Sequence, residues 1–287
     1  MAFHIPDSNL TLYDDEDQLY VTGKTYVEVE STLEIQCQRG LLWCRNNFLL
    51  ANPDKFQSPT INPRDIDANE KGSVLTIAND KIKLLGVNTD ENLNFTQHIS
   101  EICIRASQKV GILMHLHNLI PCQAKHILYK TAIMPHLRYC HLVWNFFKSS
   151  GRKIERIQER ALHAVFKTTT ETYEELLKHT KLPTLRNRCL QDIAILMCKV
   201  KNNLVPSYIS EIFTRKRTRY NLRNSDFEIP RFDTIRYGKH TLRYQGPYIW
   251  SKLDNSMREL PSLSIFKTNI CRVDVEDSGN CCNLCST

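Results

Sequence analysis

Four consecutive acidic residues stand near the start of the sequence: Asp14, Asp15, Glu16 and Asp17. Short β-rich runs flank them, NLTLY before and QLYVTG after, so we expect the four residues to form the tip of a β-hairpin. Adjacent carboxylates repel one another unless a cation neutralises them, and Mg²⁺ takes carboxylate oxygens together with substrate phosphates. The run therefore predicts either a magnesium site or a solvated acidic turn, and the spacing alone favours the solvated turn.

A basic segment farther along the chain could hold a polyanion. Residues 214–244 contain nine basic and three acidic residues, and five aromatic residues lie among them: Tyr220, Phe227, Phe232, Tyr237 and Tyr244. Cations displace the counterions of phosphates, and aromatic rings provide faces on which bases stack. Nucleic-acid binding is one interpretation of this segment. The other is a solvated basic surface with ordinary core aromatics, which charge runs alone favour.

The cysteines suggest little chemistry. The chain has eleven, an odd number, and most stand singly, which is typical of reduced thiols in an intracellular protein. Only Cys271, Cys281, Cys282 and Cys285 form a cluster, with a Cys-x-x-Cys pair that could hold zinc. No histidine lies nearby and two of these cysteines are adjacent, so we expect free thiols in a disordered tail over residues 271–287.

The elements that must position these residues change character near residue 97. Before it, one hairpin is predicted around the acidic residues and a second from VLTIA and KIKLLGV, joined by Asn79-Asp80. Between the hairpins, apolar residues at three- and four-residue steps predict a helix over 27–48. The chain from about residue 96 to 213 shows helical spacing, and Pro135 should kink or end the helix in which it lies. Helices are predicted over 99–113, 123–147, 154–165, 171–179, 184–203 and 206–213.

The charge also changes along the chain. Residues 1–101 hold 8 basic and 16 acidic residues, a balance of −8, and residues 102–287 hold the remaining 30 and 15, a balance of +15. No apolar run approaches the roughly 18 residues that span a bilayer, and no signal peptide is recognisable. We therefore expect an intracellular protein, nuclear or cytoplasmic, that is not secreted and has no membrane partner.

The segment Tyr13-Asp14-Asp15-Glu16-Asp17-Gln18-Leu19-Tyr20 resembles the YADDTQLY stretch of reverse transcriptases from non-LTR retrotransposons of the jockey-like and CR1-like groups. Further segments resemble later blocks of this family in the same order, over about residues 9–270. They include Leu49-Leu50-Ala51-Asn52-Pro53-Asp54-Lys55, Leu84-Leu85-Gly86-Val87, Pro135-His136-Leu137-Arg138-Tyr139-Cys140, Ile157-Gln158-Glu159-Arg160-Ala161-Leu162 and Gly246-Pro247-Tyr248-Ile249-Trp250. The specificity of the resemblance lies in the order and spacing of the series.

The resemblance implies nucleotidyl transfer by two cations, Mg²⁺ or Mn²⁺, which activate the primer hydroxyl and stabilise the leaving pyrophosphate. Asp15 and Glu16 fall where the family carries its paired metal-binding aspartates, and Lys55 falls where a lysine protonates the leaving group. Leu85, Gly86 and Val87 correspond to the hairpin that grips the primer. The candidates for binding RNA and DNA are Arg215, Lys216, Arg217, Arg219, Tyr220 and Arg223.

Two departures from the family predict that this chain does not synthesise DNA on its own. Glu16 replaces an aspartate, and its extra methylene displaces the carboxylate by about a bond length, where errors of ~1 Å cost ~10²-fold in rate. Only twelve residues precede Tyr13, so the fingers and the other metal-binding aspartate have no counterpart in the sequence. We therefore expect no tightly bound metal, and whether the chain is an enzyme stays open.

The resulting prediction is an α+β protein in four parts. A partial polymerase palm, of two hairpins and a helix, takes residues 1–97, and an all-α thumb-like domain takes 98–213. A basic mixed module covers 214–270, and the cysteine-rich tail covers 271–287. The predicted function is nucleic-acid binding by the C-terminal portion of an RNA-directed DNA polymerase. The alternative is a non-enzymatic interaction protein built on the helical domain, to which the apolar face of 27–48 adds a partner surface.

Overall fold

The computed structural model describes residues 9–13, 16–52, 56–57, 81–90, 92–144, 148–168, 170–216 and 226–275. The chain divides into two compact units, Met1–Asn94 and Phe95–Thr287. Helices dominate the described residues, and the strands among them all lie in the first unit, so the predicted α+β class is confirmed.

The first hairpin lies where the sequence predicted it. Strands β1 (Asn9–Tyr13) and β2 (Glu16–Tyr20) are antiparallel, with Tyr13 opposite Glu16. Glu16 and Asp17 are strand residues and not tip residues as predicted. The turn was predicted to include Glu16 and Asp17 because acidic residues are unfavourable in strands. The pairing of β1 with β2 overrides that weak local preference.

The second hairpin turns at Leu85 and Gly86, between strands β3 (Lys81–Leu84) and β4 (Val87–Asp90). The φ angles of the two turn residues are 45° and 81°, the sign pattern of a two-residue type I′ turn. The prediction of KIKLLGV as one strand was wrong because a leucine, which rarely marks a turn, occupies the first turn position. The VLTIA run lies outside the described residues.

The two hairpins belong to separate two-stranded sheets. Among the described residues no strand joins them, which fits the α+β class but not the polymerase palm predicted for residues 1–97. A hairpin alone is marginally stable in water, so a palm would need further strands beside these two.

Helix α1 (Tyr26–Asn46) confirms the helix predicted over 27–48. It begins after Thr25, whose Oγ1 accepts the backbone N–H of Glu28 at 3.3 Å, and this cap satisfies one of the free donors of the first turn. Large apolar side chains along the helix are exposed, among them Val27 at 69% and Leu42 at 57%. The predicted helix is therefore present, with much of its apolar surface uncovered.

The second unit begins with packed helices and an interrupted helical stretch. The elements are α2 (Thr96–His115), α3 (Cys122–Leu128), a π-helical turn (Tyr129–Ile133), α4 (Met134–Arg138), α5 (His141–Trp144) and α6 (Lys148–Phe166). Helix α2 packs against α6 through buried residues that include Ile102, Ala106 and Val110. Pro135 does not end this stretch: it is the second residue of α4, which directly follows the π-helical turn and continues to Arg138.

The remaining elements surround α8. They are α7 (Tyr173–Thr180), α8 (Leu185–Lys201), α9 (Ser207–Ser210), a second π-helical turn (Ile235–Lys239), α10 (Leu242–Lys252), α11 (Asn255–Arg258) and α12 (Leu263–Ile270). Ile193 and Met197 of α8 lie in one core with Trp250 and Phe266. This core contains residues from both sides of the boundary predicted at 213/214.

The chain after α12 packs back onto α8. The N–H of Val275 donates to Asn187 Oδ1 at 3.0 Å, and Gln191 Nε2 donates to the carbonyl of Val273 at 3.1 Å. Val275 is 1% exposed, so residues 271–275 belong to the packed unit. In the ranges that the structure describes, none of the helices is long and apolar enough to cross a membrane.

Candidate nucleic-acid interface

The structure describes only some of the residues that were predicted to carry out polymerase chemistry. Asp15 and Lys55 lie outside the described residues, and Glu16 is the first residue of β2. Leu85 and Gly86 form the turn of the second hairpin, and Val87 follows it with 7% of its surface exposed. The described residues contain no group of three or more His, Cys, Asp or Glu side chains that could hold a metal ion. The metal site stays a prediction.

Arg215, a predicted nucleic-acid ligand, caps α8. Its Nη2 donates to the carbonyl of Val200 at 2.7 Å and to Asn203 Oδ1 at 2.6 Å, and lies 3.3 Å from the carbonyl of Lys201. The last carbonyls of a helix have no partners within it, and a cation there also favours the helix dipole. The guanidinium of Arg215 therefore holds the chain after α9 against the end of α8.

The other predicted ligands of this segment are mostly not covered. Lys216 is exposed, and its backbone N–H donates to the carbonyl of Asp226 at 3.1 Å. The remaining four lie outside the described residues: Arg217, Arg219, Tyr220 and Arg223. Phe227, one of the aromatic residues of the segment, is 0% exposed and packs edge-on against Trp250, with ring centroids 6.2 Å apart. It is a core residue, as the second interpretation of the segment holds.

A row of exposed cations lies on α6, and we call it the α6 basic face: Arg152, Lys153, Arg156 and Arg160. Arg152, Arg156 and Arg160 follow one another at four-residue steps, so their side chains leave the same side of the helix. In the described part of the chain, none of the four forms a salt bridge. The four-residue spacing of the three arginines, on the side of the helix opposite the apolar stripe, would have indicated this surface from the sequence.

One acidic residue of α6, Glu155, does not neutralise this face, because its carboxylate is engaged on the packed side of the helix. Its Oε2 accepts the hydroxyl of Tyr173 at 2.5 Å, and its Oε1 accepts the backbone N–H of Arg186 at 2.9 Å. Burial, followed by the charge and hydrogen bond of Glu155, raises the pKa of Tyr173 above its usual range. The tyrosine thus stays protonated and keeps donating to Glu155, which ties α6 to α7 and α8.

A second surface, which we call the aromatic row, runs along α10: Phe232, Tyr244, Tyr248 and Lys252. The rings of Tyr244 and Tyr248 are nearly parallel, at 15°, with centroids 5.9 Å apart. Phe232 meets Tyr244 edge-on at 5.0 Å, and Lys252 Nζ lies 5.7 Å from the centre of the Tyr248 ring. The basic segment predicted from the sequence contained Phe232 and Tyr244 and ended before Tyr248 and Lys252, although the period of four from residue 244 would have added them.

A cluster of basic side chains around Asp192 fixes α4 and α5 to α8. Asp192 Oδ2 lies 3.0 Å from Arg138 Nη2 and 3.1 Å from His141 Nε2, and its Oδ1 lies 3.2 Å from Arg188 Nη2. Burial by itself raises the pKa of Asp192, but the hydrogen bond from His141 and the charges of Arg188 and Arg138 outweigh it. The pKa of the carboxyl is therefore held below its usual range. Arg138 and Arg188 are thus paired with a carboxylate within the fold, unlike the arginines of the α6 basic face.

Comparisons of the chain with protein-family models, with curated proteins and with solved structures found no match. Two surfaces of the second unit remain as candidates for binding, the α6 basic face and the aromatic row. Both suit a polyanion that carries flat rings, since one supplies unpaired cations and the other supplies ring faces.

Proposed function

We propose that this chain is the C-terminal portion of an RNA-directed DNA polymerase of a non-LTR retrotransposon, and that its second unit binds nucleic acid without synthesising DNA. The ordered family resemblance supports the polymerase part of the proposal, including the partial palm. The two separate two-stranded sheets add no support for a palm. The α6 basic face is the observation that carries the binding part. The two parts can be tested separately.

The α6 basic face has the charge and geometry of a phosphate-binding surface. Arg152 and Arg160 are eight residues apart, which places three arginines along about 12 Å of one helix. Because these guanidinium groups have no carboxylate partner among the described residues, binding a phosphate does not require an internal ion pair to break. Binding there would release condensed counterions and would therefore weaken steeply as salt rises.

The binding test measures the affinity of the full chain for a fluorescently labelled single-stranded RNA by anisotropy, between about 50 and 200 mM salt. Replacing Arg152, Arg156 and Arg160 together by glutamine should weaken binding and reduce the salt slope by about two to three, since each lost phosphate contact lowers it by about one. The matched control replaces Lys24, Arg45 and Lys83 by glutamine, which removes the same charge from exposed positions of the first unit.

A control variant that weakens binding as much as the α6 variant would mean that net charge alone matters, and the α6 assignment would fall. Absence of binding at low salt would overturn the proposed function itself. For synthesis, primer extension on an RNA template with Mg²⁺ or Mn²⁺ should give no incorporation. Incorporation that disappears in Asp15→Ala would show that Asp15 belongs to a working site and that the expected inactivity is wrong.

A second candidate function, the non-enzymatic interaction protein, is favoured by the exposed apolar residues of α1 in the first unit. Ile35, Leu41 and Leu42 are 51%, 42% and 57% exposed. Contiguous apolar surface on a soluble protein often marks a contact with another molecule. This candidate predicts a discrete complex that Leu41→Ser with Leu42→Ser abolishes, while the affinity for RNA is unchanged.

A further inference from the structure

We propose that the aromatic row on α10 is a stacking platform for the bases of a single-stranded nucleic acid. This inference rests on the proposed function, because it names the form of nucleic acid that the second unit prefers and the residues that hold its bases. The partner is an unpaired stretch of polynucleotide, RNA or DNA, recognised through ring faces and phosphates rather than through base edges.

The spacing of the row suits successive rings. Tyr244, Tyr248 and Lys252 follow one another at four-residue steps, which places one group on each turn of α10, about 6 Å apart along the helix. The separations within α10 agree, at 5.9 Å between the Tyr244 and Tyr248 ring centroids and 5.7 Å from the Tyr248 centroid to Lys252 Nζ. Phe232 is the most open of the three rings, with 40% of its surface exposed. An incoming base can therefore extend a series of rings that the protein has already begun.

The backbone holds Phe232 beside the helix. Gly238, in the second π-helical turn, lies so close that a Cβ placed there would be 2.6 Å from the Cβ of Phe232. Gln245 is 5% exposed, and its Nε2 donates to the carbonyl of Lys239 at 2.7 Å, which ties this turn to α10. A ring fixed in this way loses little conformational freedom when a base stacks on it, so more of the stacking energy contributes to binding.

The charges around the row suit a phosphate backbone. Arg231 and Arg243 are exposed next to Phe232 and Tyr244 in the chain, and Lys252 is exposed at the other end of the row. The ammonium of Lys252 lies over the Tyr248 ring, where a cation and a ring face attract each other. A base that stacks at this end would bring its phosphate to the same cation. One acidic residue, Asp233, is exposed beside Phe232.

The platform should discriminate against duplexes. In a double helix each base is already stacked between its neighbours, and its faces are not accessible, whereas an unpaired base can rotate onto a protein ring. The α6 basic face contacts phosphates alone and has no such preference. The preference for single strands therefore distinguishes the aromatic row from the general affinity of a basic surface.

The experiment uses the full chain and short oligonucleotides that carry 2-aminopurine, whose fluorescence is quenched when it stacks on an aromatic ring. Single-stranded RNA, single-stranded DNA and the matching duplexes are compared at one fixed salt concentration. Phe232→Leu and Tyr244→Leu keep apolar volume but remove a ring, and Tyr244→Phe keeps the ring. Tyr208→Leu is the matched control, because Tyr208 is a tyrosine of α9, 66% exposed, outside the row.

We expect both single strands to bind more tightly than the duplexes and to show quenching. Phe232→Leu and Tyr244→Leu should each weaken single-strand binding about 5- to 150-fold and reverse the quenching, as expected for loss of one stacked base. Tyr208→Leu should behave as the unmodified chain, and Tyr244→Phe, which keeps the ring, should bind more tightly than Tyr244→Leu. Circular dichroism gives the unfolding midpoint of every variant and identifies any leucine variant that does not fold. The test of the inference then uses the variants that do fold.

Two results would overturn the inference, and only the second would also overturn the proposed function. If the chain binds RNA but the folded leucine variants bind and quench as before, or duplexes bind as tightly as single strands, the stacking platform falls and the proposed function stands. If the chain binds none of the oligonucleotides at low salt, both the platform and the proposed function fall.

Discussion

The two units of this chain differ in how far their apolar residues are covered. In the second unit, helices α8, α10 and α12 contribute to one core in which Ile193, Trp250 and Ile270 are 0% exposed. In the first unit, Val87 is the one hydrophobic side chain that is buried among those the structure describes, and Val27 and Leu42 of α1 are more than half exposed. Both units nevertheless contain regular helices.

The difference shows that an apolar helical period predicts a helix but does not predict what covers it. Helix α1 has a capping threonine and an acidic residue in its first turn, as α7 also does. Most of the stability of a helix in a protein comes from packing its apolar face and not from its local preferences. We therefore expect the second unit to carry most of the cooperative stability, and the following predictions test that expectation from the largest effect to the smallest.

The largest contrast is expected between two isoleucines. Ile193→Ala removes a fully buried side chain and should lower the free energy of unfolding of the second unit by about 2–5 kcal/mol. Ile35→Ala, at a position that is 51% exposed, should change it by less than about 0.5 kcal/mol. Urea unfolding in a Trp43→Phe background measures both, because the remaining tryptophans, Trp144 and Trp250, lie in the second unit. Equal effects would contradict the comparison.

The charge cluster of the second unit should make its stability depend on pH. The pKa of Asp192 is lower in the folded protein than in the unfolded chain. Its ion pairs therefore add to the free energy of unfolding above the usual carboxyl pKa near 3.9, and this addition is lost as pH falls through the lower pKa of the folded state. Asp192→Asn should cost about 1–3 kcal/mol at neutral pH, less than for a fully buried pair, because Arg138 is a third exposed. Acid titrations of both proteins should converge below that range, and a constant difference down to low pH would exclude this role.

Two glycines of the second unit should respond to alanine with opposite signs. A Cβ at Gly246 in α10 would lie 2.7 Å from Met197 Sδ and 2.9 Å from Phe213 Cε1, so Gly246→Ala should destabilise by about 1–3 kcal/mol through overpacking. A Cβ at Gly111 in α2 meets nothing within 4 Å, so Gly111→Ala should stabilise by about 0.5–1 kcal/mol. Thermal unfolding of the two variants gives the sign directly.

The smallest contrast concerns two helix caps. Thr172 Oγ1 accepts the N–H of Glu175, and the Glu175 side chain accepts the N–H of Thr172 in return, which makes a capping box for α7. Thr172→Ala should cost about 1 kcal/mol in the unfolding of the second unit. Thr25→Ala removes the cap of α1 and should leave that transition unchanged, while amide exchange in α1 becomes faster. A shift of the second-unit transition by Thr25→Ala would show that the two units unfold together.

The sequence predicted the helices of this chain better than its turns or its binding surfaces. The apolar periods of α1, α2, α6 and α8 are regular, and each of these helices lies close to its predicted bounds. The strand pattern missed the turn at Leu85 and Gly86, where the family resemblance implied a hairpin, because pairing of β3 with β4 imposes a left-handed conformation on a leucine. Local composition does not report such a tertiary constraint.

The candidate site could be predicted only in outline, because residue type does not reveal which side chains stay free. In the sequence, Arg215 and Phe227 belong to the same basic segment with interleaved aromatic residues. In the fold, Arg215 caps α8 and Phe227 lies in the core. Arg152, Arg156 and Arg160 were not singled out from the sequence, and they become a candidate only once the structure shows their exposure and the absence of salt bridges to them among the described residues. The resemblance to reverse transcriptases stays a prediction.

The bond between Val275 and Asn187 has a consequence for the order of folding during synthesis. The two residues are 88 positions apart, and the end of the packed segment completes a core that α8 begins. At a synthesis rate of about 5–20 residues per second, Asn187 of α8 waits roughly 4–18 seconds after it has been made before this last partner exists. During that interval Ile193 and Met197 lack part of their cover, so a nascent chain should need chaperone protection until residue 275 has left the ribosome.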